Sequence, residues 1–428
     1  MAGRAVLLPT LMLAMQTVFV PIEARAAGVA ATASFVGEVP ADPAAQAASL
    51  EASGEASAAT EDWSAALSSW EAALAIRTEL AKAAPRDLDR MNDLAAVHEK
   101  VGRAQGALEH HDAAAASLGA AQKLRAALLK AAPKDGARQR DLAAVGLALA
   151  EALLMADREE EAIKPVTDAV KAMRALVKAS PGDAAAAFDL AGALVGDARV
   201  RLALGRQEEA AERAEEARGM FMPLADANPA SRHGLTRALN IVGSAALERD
   251  DFDAAKTAFQ ESFSTAEAGP PGDATDLDRA TALERLGWVA QRRGEAAESL
   301  RAYEWSRSIY SGVAGRQPRH VDAGFNAANL ANRLGTAKTE AGDTAGALVL
   351  HGEALAGFRA LVAVRPEIWR YRRGVVEALR GQANAGDAPA QRLQQALDLV
   401  AASKDAGILP DAEAWLADDL REALAEAK

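Results

Sequence analysis

A chain of 428 residues without a cysteine has no disulfide, no thiolate metal site and no lipid-attachment cysteine. Half of it is hydrophobic but only 4% is aromatic, and alanine dominates, which suits closely packed helices. It argues against a β-sandwich or a doubly wound sheet, which draw on Val, Ile and aromatic runs. A net charge of −12 excludes the overall basic footprint of a nucleic-acid binder; such a surface serves solubility and leaves room for basic partners.

In chain order, residues 1–26 read as an export signal. Arg4 and the amino terminus are positive, Ala5 to Val20 is largely apolar, Pro21 breaks the run, and Ala24-Arg25-Ala26 offers small residues at the two places a signal peptidase inspects. The expectation is cleavage before Ala27 and a periplasmic or extracytoplasmic location. The apolar run falls short of the ~20 residues of a spanning helix. No other stretch reads as a bilayer span, so no stable membrane insertion is expected after cleavage. Residues 27–43 are small, polar or proline-containing and without period, as in a flexible linker.

From residue 44 to 405 a helical hairpin recurs. One stretch, Leu239–Ser262, shows it in full: Leu239, Val242, Gly243 and Ala246 fall on one helical face, Ala255, Phe259 and Ser262 on another, with Arg249-Asp250-Asp251 as the turn. The small residue of the first helix is Gly54, Gly102, Ala150, Ala198, Gly243, Gly287 and Gly335 in successive copies. A second small row follows at Ala66, Ala114, Ala162, Ala210, Ala255, Ser299 and Ala347, and a third at Ala73, Ala121, Ala169, Ala217, Ser262, Ser306 and Ala354. Both offsets hold in every copy. Pro85, Pro133, Pro181, Pro229, Pro318 and Pro366 mark the joints, because proline cannot continue a helix.

The pattern resembles the tetratricopeptide (TPR) repeat, W-x2-L-G-x2-Y followed by A-x3-F. Here it stands as Leu239-x2-Val242-Gly243-x2-Ala246, then Ala255-x3-Phe259. The resemblance implies an all-α, right-handed solenoid of antiparallel helix pairs. The ordinary repeat has about 34 residues, so each copy here carries about seven more per helix, or about two extra turns. Two copies are shorter, and Gly269-Pro270-Pro271-Gly272 is a hard break where a change of curvature is expected. Beyond Pro366 the pattern decays: Arg380 to Ala390 reads as a glycine-containing loop with no clean second hairpin. Residues 406–428 form a capping helix, opened by Asp411 and carrying Leu416, Leu420 and Leu424 on one face with Trp415 on its flank.

Chemistry-bearing residues are sparse. His98-Glu99 and His110-His111-Asp112 suggest a metal site, but on a continuous helix twelve residues span ~18 Å, so His98 and His110 cannot share an ion. His233, His320 and His351 are isolated, and His351 stands where Phe259 and Tyr303 stand in their copies, which makes it a seam residue. No nucleotide loop, nucleophile elbow or kinase signature is present. No catalytic residue, cofactor or metal is expected.

The functional signal lies on the first helices, opposite their packing rows. In TPR proteins that face lines the concave groove, where peptides or partner helices bind. It carries Arg237, Asn240, Ser244 and Leu247 in the fifth copy, Glu284, Arg285, Trp288 and Arg292 in the sixth, and Asn329, Asn332, Arg333 and Thr336 in the seventh. Asn pairs both edges of a peptide backbone, Arg forks onto carboxylates, and Trp288 would be an aromatic anchor. The bland alternative is an ordinary solvated face. A second cluster, Arg365, Trp369, Arg370, Tyr371, Arg372 and Arg373, would suit an anionic chain, or else is a helix start with Trp369 tucked into the cap. The sequence thus points to an exported, non-catalytic scaffold for a protein or peptide partner. Alternatives are the regulatory arm of an envelope enzyme, or a binder of a small ligand or envelope polymer.

Overall fold

The structure, a computed structural model, describes residues 42–427 apart from 227 and 319. The export signal and all but the last two residues of the linker segment lie outside the described residues.

The described chain is a run of helical hairpins: α1 (Pro43–Ala59) with α2 (Trp63–Ala83), α3 (Leu88–Ala107) with α4 (His111–Ala131), α5 (Gly136–Met155) with α6 (Glu159–Ala179), and α7 (Ala184–Ala203) with α8 (Gln207–Phe221). The order continues with α9 (Pro229–Glu248) and α10 (Phe252–Glu267), α11 (Asp273–Arg292) and α12 (Ala296–Arg316), α13 (Val321–Glu340) and α14 (Thr344–Val364), α15 (Trp369–Asn384) and α16 (Pro389–Asp405), and the final α17 (Leu416–Glu426). Each helix packs chiefly on the one before and the one after. Full-length first helices have 20 residues and full-length second helices 21, so the added turns fall on both, as the period requires.

The joints explain the starts. Asp87, Asp135 and Asp183, each two residues after a proline, accept hydrogen bonds from two amides of the following helix at 2.9–3.2 Å. A cap of this kind is worth ~1 kcal/mol. Each of the first seven hairpin turns places one residue in the left-handed region, with φ between 55° and 78°: Glu61, Glu109, Asp157, Gly205, Asp250, Gly294 and Gly342. For a residue with a Cβ that conformation costs ~1–2 kcal/mol.

Within a hairpin the small rows work as spacing implies. The second and third rows are almost wholly buried. At the first row, a Cβ on Gly54, Gly102, Gly243, Gly287 or Gly335 would sit 2.3–2.8 Å from Trp70, Leu118, Phe259, Tyr303 or His351, each sixteen residues on. Where the first row is Ala150 or Ala198, the facing residues are only Val166 and Ala214, both buried. Glycine thus stands where the facing side chain is large and alanine where it is small, so the seam stays closely packed.

Four expectations are corrected. Pro229 is not in the same place as its siblings: it is the first residue of α9, capped by Asn228, whereas Pro85, Pro133, Pro181, Pro318 and Pro366 stand three residues before their helices. The preceding helix α8 is short and ends in a 3-10 turn, Met222–Leu224, which accounts for the missing residues. The eighth hairpin exists. Arg380–Asn384 continues α15, and α16 packs against it; Gly374 and Gly381 are packing glycines, whose added Cβ atoms would lie 2.4 Å from Phe358 and 2.3 Å from His351. Asp411 opens a 3-10 turn rather than α17, which starts after Trp415; Leu416, Leu420 and Leu424 are its buried face. Finally, α14 is long and apolar enough to cross a membrane by length and composition, with a mean hydropathy of 1.5. Here it packs between α13 and α15.

Candidate functional site: the concave face

Neighbouring hairpins meet across a second seam that the sequence reading overlooked. Its second-helix residue is Arg77, Arg125, Met173, Phe221, Ala266, Tyr310 and Phe358; the next first helix answers with Asp93, Asp141, Asp189, Gly234, Asp278, Asn326 and Gly374. Arg77 donates to Glu51 at 2.9 Å and Asp93 at 2.8 Å. Arg125, buried, donates to Glu99 (2.6 Å), Asn92 (2.6 Å) and Asp141 (3.1 Å). Phe221 and Phe358 instead fill the space left by Gly234 and Gly374. Arg opposes Asp and Phe opposes Gly, a pairing visible in the sequence once the rows are set side by side.

Along the first helices, the residue after each close-approach position runs Glu55, Arg103, Glu151, Arg199, Ser244, Trp288 and Thr336. In the first four it is a ladder of mutual neutralisation. Arg103 stands 4.0 Å from Glu55, and Lys100 is 3.1 Å from both Glu51 and Glu55. Arg199 forks onto Glu151 at 2.6 and 3.0 Å. The charges of this row in the first four hairpins are spent on one another and on Lys100 and Glu51.

The C-terminal half differs. His233, Arg237, Asn240 and Ser244 form one stripe of α9 at helical spacing. His233 Nδ1 lies 2.8 Å from Asp278, and its Nε2 is buried without a hydrogen bond. Among the described residues no hydrogen bond or ion pair reaches the Arg237 guanidinium. Its pKa is pushed down to about 10, first by burial and then by Arg199, with Glu151 and Asp278 pulling it back up. Among the described residues the buried Oδ1 of Asn240 has no donor. Leu247, expected on this face, is instead fully buried with Phe259 and Val289, because it lies beyond the stripe toward the hairpin turn.

The sixth and seventh hairpins are more self-engaged. Trp288 is partly buried against Leu247 and Phe259, and its ring stands 5.7 Å from the Arg285 guanidinium. Arg292 is at the hairpin turn, paired with Asp250 at 2.6 Å. Arg333 donates to the Tyr303 hydroxyl at 3.1 Å and lies over its ring; burial raises the pKa of that phenol. Asn332 Oδ1 is 2.7 Å from His351 Nδ1. Asn332 and Thr336 line a cavity of about 170 Å³ with Val376, Glu377, Arg380 and Asn384, while Asn329 is half-buried. The other histidines are structural. His351 is fully buried in its seam, and burial lowers its pKa. His320 caps α13, accepting from Ala323 at 3.2 Å. His98 lies in α3, and His110 and His111 at the start of α4.

The second basic cluster is consumed internally. Trp369 and Tyr371 are buried. Arg370 pairs with Glu109 and Asp322, Arg372 donates to the Pro366 carbonyl at 2.7 Å, and Arg373 pairs with Glu377 and Glu413. Arg365 donates to the Ala107 carbonyl at 3.2 Å. With these guanidiniums engaged, the run is a joint, not a track for an anionic chain.

Paired helices with a small-residue seam, repeated down the chain, decide the architecture. The protein is a long-helix tetratricopeptide-like solenoid. No family model matches the chain, and neither does any curated protein. Among solved structures it is similar to the apo form of RapI at 11% identity, over 74% of this chain and 98% of that one, with a TM-score of 0.49. Aspartyl phosphate phosphatase F from Bacillus subtilis aligns at 12% identity, over 92% and 93% of the two chains, with a TM-score of 0.45. BtubC from P. vanneervenii aligns at 16% identity, over 58% and 91%, with a TM-score of 0.43. The assignment of the solenoid rests on this chain's own helix pairs.

Proposed function

We propose that this protein is an exported, non-catalytic scaffold that takes a protein or peptide partner on the C-terminal half of its concave face. The contrast in charge pairing supports the reading: the first four hairpins neutralise their own charges, whereas Arg237 and Asn240 keep an uncompensated donor and acceptor in the groove. A desolvated guanidinium that forms no ion pair among the described residues, with Glu151 and Asp278 acting on it only at a distance, and a buried carbonyl oxygen without a donor among them are costly unless a ligand completes them. An extended peptide has both complements, a carboxylate for the first and backbone N–H groups for the second.

The test is a crosslinking pull-down from the native compartment with the mature chain. Arg237→Ala with Asn240→Ala should abolish capture while circular dichroism stays helical, and Glu55→Ala with Arg103→Ala should leave capture intact. The reverse result would move the site to the N-terminal hairpins. Export has its own check: the mature protein should begin at or close to Ala27, and intact Met1 recovered from the cytoplasm would end that assignment.

A further inference from the structure

The two ends of the described array touch. Arg365, in the joint before α15, stands 4.0 Å from Glu61 and donates to the Ala107 carbonyl at 3.2 Å. Arg370, the second residue of α15, has Nε 2.5 Å from Glu109 and Nη2 3.2 Å from Asp322. The Arg370–Glu109 contact is an ion pair and not an aligned hydrogen bond, since Nε has no hydrogen-bond partner among the described residues. The guanidinium lies 5.1 Å from the ring centres of both Phe325 and Tyr371. Its charge is felt across the contact: burial raises the Glu109 carboxyl pKa with Arg370 opposing, and the His111 pKa is lowered by burial and then by Arg370.

Two features separate this contact from the routine ion pairs between neighbours. Arg370 has no counterpart, because the second residue of the other first helices is Ala44, Asp89, Ala137, Ala185, Ala230, Ala274 or Asp322. Glu61 and Glu109 occupy the left-handed place in their hairpin turns, at φ 59° each. Three sister turns fill that place with Gly205, Gly294 and Gly342, and two with aspartate, whose short side chain tolerates the conformation better. Glutamate stands there only in the two turns that face the last joint. Ile368 and Trp369 belong to the core of the last hairpins, so the residues reaching the far end are the charged ones.

We propose that Arg365 and Arg370 with Glu61 and Glu109 form a clasp that holds the first two hairpins against the last joint and restricts access to the concave face between them. The clasp is polar and partly solvated, so salt weakens it, and a partner carrying its own carboxylates competes for the two arginines. The restriction of access rests on the concave-face reading; the clasp itself does not.

The absence of native cysteine makes the test direct. Spin labels at Thr60→Cys and Ala363→Cys, both at exposed positions, report the separation of the two ends in the full chain. The parent should give one short separation. Glu61→Gly with Glu109→Gly installs the residue that sister turns already use, so the helices are retained while the clasp is lost; a longer separation should appear, as it should for the parent in about 1 M salt, where the Debye length is ~3 Å. An unchanged separation in the double-glycine variant, with helicity intact, overturns the clasp. Alkylation of Asn240→Cys supplies the second readout: its rate should rise several-fold when the double-glycine change is added. Equal rates overturn the restriction of access. Neither measurement involves a partner, so the failure of the binding reading and the failure of the clasp are told apart.

Discussion

The joint between the second and third hairpins and the joint between the seventh and eighth fill the same place with opposite chemistry. In the first, the buried Arg125 gathers Glu99, Asn92 and Asp141. In the second, Phe358 lies against the bare backbone of Gly374, with Phe325 edge-on at 5.6 Å. An ion cluster in such a place adds little net stability, because desolvation consumes most of the Coulomb gain. It does fix register: an arginine that must meet three specific oxygens cannot slide by a turn, whereas a phenyl ring in a glycine notch can be exchanged for other shapes. The first two joints, with Arg77 and Arg125, are thus the more specified, and those of Phe221 and Phe358 the more strongly driven by burial.

The largest expected effect tests the apolar side. Phe358→Ala should cost ~3–5 kcal/mol, as removal of a large buried ring does. Because a repeat array unfolds in parts, the loss should appear as faster hydrogen exchange in α13–α15 while α1–α4 are unaffected. Arg125→Ala should approach ~3 kcal/mol, because it strands carboxylates that packing has partly dried, and its exchange signature should appear in α3–α5. The comparison then sharpens by transplant. Arg125→Phe alone should destabilise, leaving Glu99, Asn92 and Asp141 facing a ring; adding Asp141→Gly should recover part of the loss and Glu99→Gln more, because each removes a stranded carboxylate. If the double variant is worse than the single one, the two joints are not interchangeable solutions.

The seam inside each hairpin allows a finer version. Gly243→Ala would put a Cβ 2.6 Å from the Phe259 ring, and over-filling of this kind costs ~1–3 kcal/mol. Ala198 opposite Ala214 shows that a side chain is tolerated where the partner is small. Adding Phe259→Val, the size of Val166 opposite Ala150, should therefore recover most of the loss in denaturant midpoint.

Much of this was legible without coordinates. The three small rows place the close approaches, the prolines place five of the seven joints in register, and the row containing Phe259 and Tyr303 places His351 in its seam. What escaped had physical causes. Gly381 reads as a loop glycine because a glycine inside a helix and one in a turn look alike until the ring opposite is known. The Arg77 and Arg125 row escapes because its identity changes along the chain from arginine to methionine to phenylalanine, and the facing row on the next first helix, at no constant offset, is needed to mark it as one position. Of the concave-face residues, Arg237 and Asn240 share one stripe of α9, and nothing local in the sequence reveals that Asn332 and Arg333 are engaged by His351 and Tyr303. The contact of Arg370 with Glu109 joins residues too far apart in the chain for any periodicity to report.

The smallest expected effect comes from the seam imidazole, whose ordinary pKa of 6.5 lies near neutral pH. His351 fills the place of Phe259 and Tyr303, fully buried between Gly335 and Gly381, with Nδ1 on Asn332 and Nε2 without a partner. Burial lowers its pKa from the ordinary 6.5. The folded state therefore binds the proton less readily than the unfolded one, so between the two pKa values unfolding takes up a proton. Stability from this group is complete above 6.5, and it is lost as pH falls from there toward the depressed folded value. The loss should centre on α13–α15, since His351 touches both flanking helices. His351→Phe uses the side chain already found at 259 and removes the titration, so its stability relative to the parent should rise as the solution is acidified through that window. A difference between the two proteins that stays flat with pH would mean that the imidazole exchanges protons equally in both states, and that water reaches a seam the packing describes as closed.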